Sequence, residues 1–459
     1  MRDGAAGATH VLQATLTASG GRTTIHALLT DNRTRVNLRD WTAEYAAGEM
    51  KYAPLALAGI ATWGLHLPAA AQPPMRSEAL ADYREGLAHL RNVNAEVDAA
   101  RAAMEKAVAA DPDSAVAHAG LAEAQWFTYF QTHEQTWLDR ALESARQAGL
   151  RHPDLAPVHR IAGWLRFNTG RYEQAEAELR RAIEVEPDND NGHRRLARVF
   201  EKNDQLDEAL SEYKRAVELG PSNYANYQDL GALYFKRGRF TDSLPYSLKA
   251  VELGPQEAGT HFALASDYLN LGRFVEAEKE LRVSIGLKET APSVHSLGLV
   301  LMFEGRDKDA VPYFQRALEL GPDRYLSWMY LGIVWRRLGN RGEAARANRR
   351  GLDLAESAVA RDPRSGYTRS FLAYLCSQLG SRERAGSEIA QALQLSPRDA
   401  DVGDMALWTY EALGRRTDAL KLAATLSPEQ LAWLNQWPDL ADLRRDPQFT
   451  QLLKGYSIK

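Results

Sequence analysis

Two kinds of apolar periodicity run along this chain. Over residues 9–31 hydrophobic and polar positions alternate, with Val11, Leu12, Ala14 and Leu16 in Thr9–Ala18 answered by Ile25, Ala27 and Leu29 in Thr23–Asp31. A period of two puts such residues on one face of a strand. Ser19-Gly20-Gly21-Arg22 between the two runs has the chemistry of a tight hairpin turn. A helix is predicted from about Ala53 to Leu67, with Pro68–Pro74 as a linker. Two strands alone are marginal, so the hairpin must pack on that helix, on the segments that follow, or on material outside this chain. Beyond residue 75 the pattern is helical, and it recurs. Tyr227-x-x-Leu230-Gly231-x-x-Tyr234 is followed by Gly238, Phe240, Ala250 and Pro255. Trp328-x-x-Leu331-Gly332-x-x-Trp335 is followed by Gly339 and Ala344. The proline steps 153→187, 187→221, 221→255 and 363→397 are each 34 residues by subtraction.

A 34-residue period with these positions resembles the tetratricopeptide repeat, a helix–turn–helix unit. The glycines Gly170, Gly238, Gly272, Gly305, Gly339, Gly380 and Gly414 fall where each first helix must end in a left-handed residue. Alanine pairs such as Ala209/Ala216 and Ala310/Ala317 fall where second helices cross their neighbours. The proline stops the second helix and starts the next unit. Ten units are predicted, beginning near Ala81, Ala115, Ala156, Asp190, Tyr224, Ala258, Ala291, Tyr325, Gly366 and Ala400. The steps 112→153 and 322→363 are each 41 residues, so repeats two and eight are longer. Gln131–Trp137 reads as a longer turn in repeat two, and Gly351–Ala360 as a lengthened second helix in repeat eight. The expected fold is mostly α: a right-handed tetratricopeptide α-solenoid of about ten repeats behind a small α+β, hairpin-containing domain. The domain takes residues 1–74 with its linker, the array 75–427, and an amphipathic capping segment 428–459, which solenoids need to close the last apolar face.

Composition narrows the function. The chain has 459 residues, 45% hydrophobic and 25% charged, as folded proteins do. Lys+Arg number 56 against 60 Asp+Glu, a net charge of -4, so the basic excess of a general nucleic-acid binder is missing. The lone cysteine, Cys376, rules out an intramolecular disulfide and a Cys-based zinc site; its place in repeat nine's first helix marks it as a buried small hydrophobe. Met1-Arg2-Asp3-Gly4 opens without the apolar run of a signal peptide, and the Leu55–Leu65 stretch is too short to span a bilayer, so a cytoplasmic location without membrane insertion is expected.

Catalytic motifs are scarce. His133-Glu134 starts a zincin-like motif, but Trp137 stands where the second histidine belongs. His118, His159, His193 and His261 share the fourth position of their repeats. A metal ladder is conceivable, yet equivalent positions in stacked repeats lie about 10 Å apart, too far to share an ion. The fourth position packs between the two helices, so structural filling is the reading. No enzyme, no metal and no cofactor is expected.

The first seventy residues and the chain's end add a further resemblance. His10-Val11-Leu12-x-Ala14-x-Leu16 with Ile25-x-Ala27-Leu28-Leu29-x-Asp31, then Trp41 and Tyr45, and the entry Tyr83-x-x-Gly86, are similar to bacterial proteins with a TolB amino-terminal-like domain before a tetratricopeptide array. So are the run from Ala107 to Ala124 and the ending Trp433-Leu434-x-x-Trp437-x-Asp439-Leu440. Such proteins are often attached to a winged-helix regulator, a cyclase or a kinase. Here the effector domain and the upstream transmembrane helix are absent, and the TolB-like domain lacks its first strand and helix. The resemblance therefore leaves three readings: a truncated relative, a partner of a separate effector subunit, or a module with a role of its own.

The tetratricopeptide resemblance also implies a concave groove lined by positions 2, 5, 9, 12 and 13 of each repeat. On this chain those positions give Trp126, Arg160, Trp164, Arg194, Arg198, Lys202, Gln228, Phe235, Lys236, Phe262, Asn270, Arg336 and Arg337 as partner-binding candidates, with Glu123, Met302, Phe303, Tyr374 and Trp408 beside them. Cations among aromatics suit an extended peptide or an acidic, partly apolar protein segment. The carboxylate clamp of chaperone-binding relatives does not map, since the later positions hold Asp229, Gly259 and Ala263. The function expected is a non-enzymatic protein–protein interaction scaffold. The alternative is a regulatory sensor that binds a small molecule or signalling peptide.

Overall fold

The computed structural model describes residues 8–67, 75–91, 93–397 and 399–456; the predicted linker 68–74 lies outside them. The chain forms two compact units, Met1–Pro221 and Ser222–Lys459.

The first unit opens with an antiparallel sheet, β1 (His10–Ser19), β2 (Arg22–Asp31) and β3 (Asn37–Ala46), in that order. The hairpin turn is as expected: Gly20 and Gly21 have φ of 58° and 77°, which a primed two-residue turn requires. Leu12, Ala14 and Leu16 pair with Leu29, Ala27 and Ile25. The expectation of two strands is corrected by β3. Its Trp41, Ala43 and Tyr45 alternate with Asp40, Thr42 and Glu44, so only half of it is apolar. The predicted helix is α1 (Ala53–Gly64), shorter than expected and preceded by a 3-10 turn over Ala47–Tyr52.

The sheet packs on α1 and on repeats two and three. The Tyr45 hydroxyl donates to the Leu150 carbonyl at 3.4 Å, and Arg146 donates to the Glu44 carbonyl at 3.2 Å. Gly59 on α1 lies against Pro153 so closely that a Cβ would meet it at 2.8 Å. Beneath this junction Arg181 donates to both oxygens of Asp154 at 2.7 Å and to the Leu67 carbonyl at 2.8 Å. Both ion-pair side chains are buried, at 3% and 0% exposure, which makes either one costly to remove alone.

Among the described residues, ten helix pairs follow. First helices run Ser77–Arg91, Ala115–Thr132, Ala156–Asn168 and Asp190–Lys202 in the first unit. In the second they run Tyr224–Lys236, Ala258–Asn270, Ala291–Phe303, Tyr325–Arg337, Gly366–Gln378 and Ala400–Ala412. Nine of these begin at the residue read from the sequence; the first begins at Ser77 rather than Ala81. The seven turn glycines all have φ between 70° and 82°. In repeats two and four, His133 and Asp204 take the left-handed position instead, at 58° and 59°. Repeat two corrects another expectation. Its extra residues extend both helices, to 18 and 17 residues, and leave only a short connection at His133-Glu134. In repeat eight the second helix, Arg341–Arg361, is the lengthened element, as expected.

The fourth-position residues share one geometry. His193 places Nδ1 2.6 Å from Glu212 and Nε2 2.9 Å from the Pro187 carbonyl; His261 does the same with Glu280 and Pro255, at 2.6 and 3.1 Å. His118 reaches the Pro112 carbonyl at 3.1 Å, and His159 reaches Glu178 and Asp154. In repeats eight and nine, Trp328 and Arg369 donate to the Pro322 and Pro363 carbonyls. At His193, His261 and Arg369 the position is a polar bracket between the preceding linker and the unit's own second helix.

Candidate functional site

In each unit the first helices touch one another in succession and so build a face of their own. On the first unit this face centres on Trp164. Trp126 meets it edge-on with ring centres 6.5 Å apart, and Phe167 stacks on it at 5.4 Å. The guanidinium carbons of Arg195 and Arg198 lie 5.1 and 5.4 Å from the Trp164 ring, within cation–π range. Both tryptophans are buried, so they form a platform with the half-buried Arg198 at its edge. Arg160 is half-buried and pairs with Glu186 at 3.3 Å; Arg194 reaches Asn191 at 3.3 Å; Lys202 is exposed at the helix end.

Arg195 was not among the sequence-read candidates. It sits at position six, is buried, bonds to Glu123 and donates to the Arg160 carbonyl at 3.3 Å. Burial pulls its guanidinium down to about 10, against the pull of Glu123. Its partner lies two repeats earlier, and no local spacing announces that contact.

A second polar cluster lies under the sheet, beside a cavity of about 480 Å³ lined by Trp41, Trp63, Arg146, His159, Arg166 and Glu178. His159 sits 2.6 Å from Glu178 and 3.2 Å from Asp154, and Arg166 pairs with Glu178 at 2.9 Å. Burial opposes the imidazolium, but the two carboxylates more than offset it and raise its pKa. Both ring nitrogens are engaged by carboxylates outside α1, and this histidine meets α1 through its ring, edge-on to Trp63 at 4.8 Å.

In the second unit the candidates scatter at first. Gln228 is half-buried and Lys236 exposed; Phe235 meets Phe240 of its own repeat at 5.1 Å. Phe262 packs against the core, and Asn270 donates to the Ser266 carbonyl at 2.9 Å. Arg336 and Arg337 are gathered differently: both bond to Asp439 in the chain's last segment, Arg336 at 3.0 Å and Arg337 through Nε at 3.1 Å. That segment lies on the first-helix face. Trp437 is buried among Trp408, Phe303 and Tyr330, at 4.1, 4.4 and 6.0 Å between ring centres. Trp433 meets Phe303 at 5.3 Å. Gln436 presses on Gly272, where a Cβ would stand 2.5 Å from its Oε1. Farther on, Pro447–Tyr456 packs on Arg416–Ala423, the last second helix. Cys376 is buried, and burial raises its thiol pKa. Among the described residues, no helix is long and apolar enough to cross a membrane.

Comparison with known proteins bears on these helix pairs. Among solved structures, MamA is 22% identical, over 36% of this chain and 97% of its own, with a TM-score of 0.34. The pilF protein of Pseudomonas aeruginosa is 19% identical, over 45% and 92%, at 0.40. YrrB, described as a TPR protein with an unusual peptide-binding site, is 20% identical, over 43% and 97%, at 0.29. No curated protein sequence matches the chain. The model of the tetratricopeptide-repeat family matches residues 162–224 and 295–355, and the helix pairs in those two stretches are tetratricopeptide repeats.

Proposed function

We propose that this chain is a non-enzymatic protein–protein interaction scaffold that takes an acidic, partly apolar partner segment on the first-helix face of repeats two to four. The observation that supports it most is the Trp126–Trp164 platform with Arg198 at its edge, on first helices that also carry Arg160, Arg194 and Lys202 at groove positions. Indole and guanidinium groups are the side chains that concentrate binding energy at protein interfaces. A planar guanidinium matches a carboxylate better than an ammonium does. Tetratricopeptide proteins are protein-interaction modules, and this arrangement supplies a place for the partner. The sheet domain, which resembles the TolB amino-terminal-like domain, belongs in this reading to a relative of bacterial signalling proteins acting with a separate effector subunit.

The test is affinity capture from the native lysate, comparing wild type with an Arg194→Ala, Arg198→Ala, Lys202→Ala chain that still melts cooperatively. Wild type should enrich a partner that the variant loses. Identical captures would place the interaction surface elsewhere.

A further inference from the structure

The terminal segment does more than close the last repeat. Of the groups it touches, Phe303, Arg336, Arg337 and Trp408 hold positions 13, 12, 13 and 9 of their repeats, positions through which a tetratricopeptide unit is expected to meet a ligand. A segment that only capped the array would cover the last helix pair. This one runs back to Gly272 and Phe303, four and three repeats before the last. It is seated in an ordered way: Trp437 as aromatic anchor, Pro438 opening a 3-10 turn after it, then Asp439 between two arginines, and Leu440 buried.

The fit is also incomplete. The indole N–H groups of Trp408 and Trp437 are buried without an acceptor among the described residues. Asp404 at position five accepts from Trp433 of the segment, while burial and then Asp401 raise its pKa. Buried donors left without acceptors weaken a contact, so a segment bearing one more acceptor than this one would hold the face better.

Resting on the scaffold reading, we infer that the first-helix face of repeats six to ten is a peptide site occupied in cis by residues 433–440, and that its partner carries the same chemistry: an indole followed two residues later by a carboxylate, on a short turn like Pro438–Leu440. Charge complementarity fixes the acid. Arg336 and Arg337 converge on one carboxylate, and a planar guanidinium pair selects it over a neutral amide. The aromatic wall of Phe303, Tyr330 and Trp408 selects the indole. Binding in trans therefore requires the resident segment to leave, and the tethered copy competes as an intramolecular ligand at high effective concentration.

The probe is a fluorescein-labelled peptide of residues 428–445, PEQLAWLNQWPDLADLRR, followed by anisotropy against full-length chains. Asp439→Lys sets a third cation beside Arg336 and Arg337 and should free the face. The peptide should bind that chain at least about tenfold more tightly than wild type, and a peptide carrying Asp439→Asn should lose about tenfold. A Trp433→Ala chain, altered at the half-buried edge of the segment, should also gain affinity, which covers the case where Asp439→Lys folds poorly. Equal affinity for wild type and both variants, or no binding to cooperatively melting variants, overturns the inference. So does dimerisation of the Asp439→Lys chain that the peptide reverses, because the occupant would then be a second copy. The Arg194/Arg198/Lys202 variant tests the scaffold reading on different residues, so either idea can fail alone.

Discussion

The first-helix faces of the two units are made from the same repeat positions and end in opposite conditions. On the first unit, tryptophans are buried as a platform with Arg198 at its edge. On the second, aromatics at equivalent positions are covered by the chain's own Trp433–Leu440, and the arginines have found a carboxylate in Asp439. Repeat geometry thus fixes where a ligand would sit, and the side chains at positions 9, 12 and 13 decide whether the chain supplies it. Arginine beside buried aromatics serves both cases.

The comparison is broken most forcefully by removing one buried anchor from each unit. Arg181→Ala strips the guanidinium from buried Asp154, leaving His159 and Thr62 beside it, and should cost about 3–5 kcal/mol; Trp437→Ala removes an indole that is 3% exposed and should cost a similar ~3–5 kcal/mol. Hydrogen exchange should separate them. The first should deprotect β1–β3 and α1, the second the first helices of repeats seven to ten. Uniform deprotection by either variant would mean that the units do not respond independently.

Gly272 and Gly305 sharpen the contrast inside the second unit. Both hold a left-handed φ, 72° and 73°. A Cβ at Gly305 meets nothing within 4 Å, while one at Gly272 strikes Gln436. Both alanine variants should lose about 1–2 kcal/mol in a denaturant titration from the backbone conformation alone. Only Gly272→Ala should also speed proteolysis within 428–440. Equal proteolysis would show that the segment does not rest on repeat six.

The smallest effect expected is on pH. His159 and His193 have raised pKa values, because carboxylate and, for His193, carbonyl partners more than offset burial. Their contribution is complete below the unfolded histidine value of about 6.5 and is lost as pH rises through the higher folded values. His118 is pulled down to about 4 by burial and then Arg151, and His295 to about 3 by burial and then Arg324. Theirs is complete above about 6.5 and is lost as pH falls toward those values. Denaturation midpoints should therefore drop on both sides of near-neutral pH, and His193→Gln should flatten the alkaline side only. An unchanged alkaline limb would show that Glu212 does not hold a charged imidazole.

The repeats were legible because their determinants are local: a glycine that must be left-handed, alanines at crossings, a proline that ends a helix. Where those cues changed residue type, reading failed. Repeat two carries His133 at its left-handed turn, so its longer helices read as a longer turn. The strand β3 has charged or polar residues at every second place, which left Trp41 and Tyr45 looking like isolated aromatics. The candidate sites were half legible. Groove positions named Trp164, Arg198, Arg336 and Arg337, but Arg195 pairs with Glu123 two repeats away and Asp439 with arginines far upstream. Such contacts are set by stacking, which no window of sequence contains.

The polar bracket at the fourth position has an evolutionary consequence. His193, His261 and Arg369 each close between the linker proline before their unit and that unit's second helix, as His193 does with Pro187 and Glu212. Such a proline-to-proline cassette therefore carries its own bracket, and duplication or loss of one cassette leaves the others' brackets whole. Histidine and arginine both serve there, so a lineage can exchange them without resetting the register. The array can change length by whole steps while the sheet domain at one end and the tryptophan segment at the other keep their sequences.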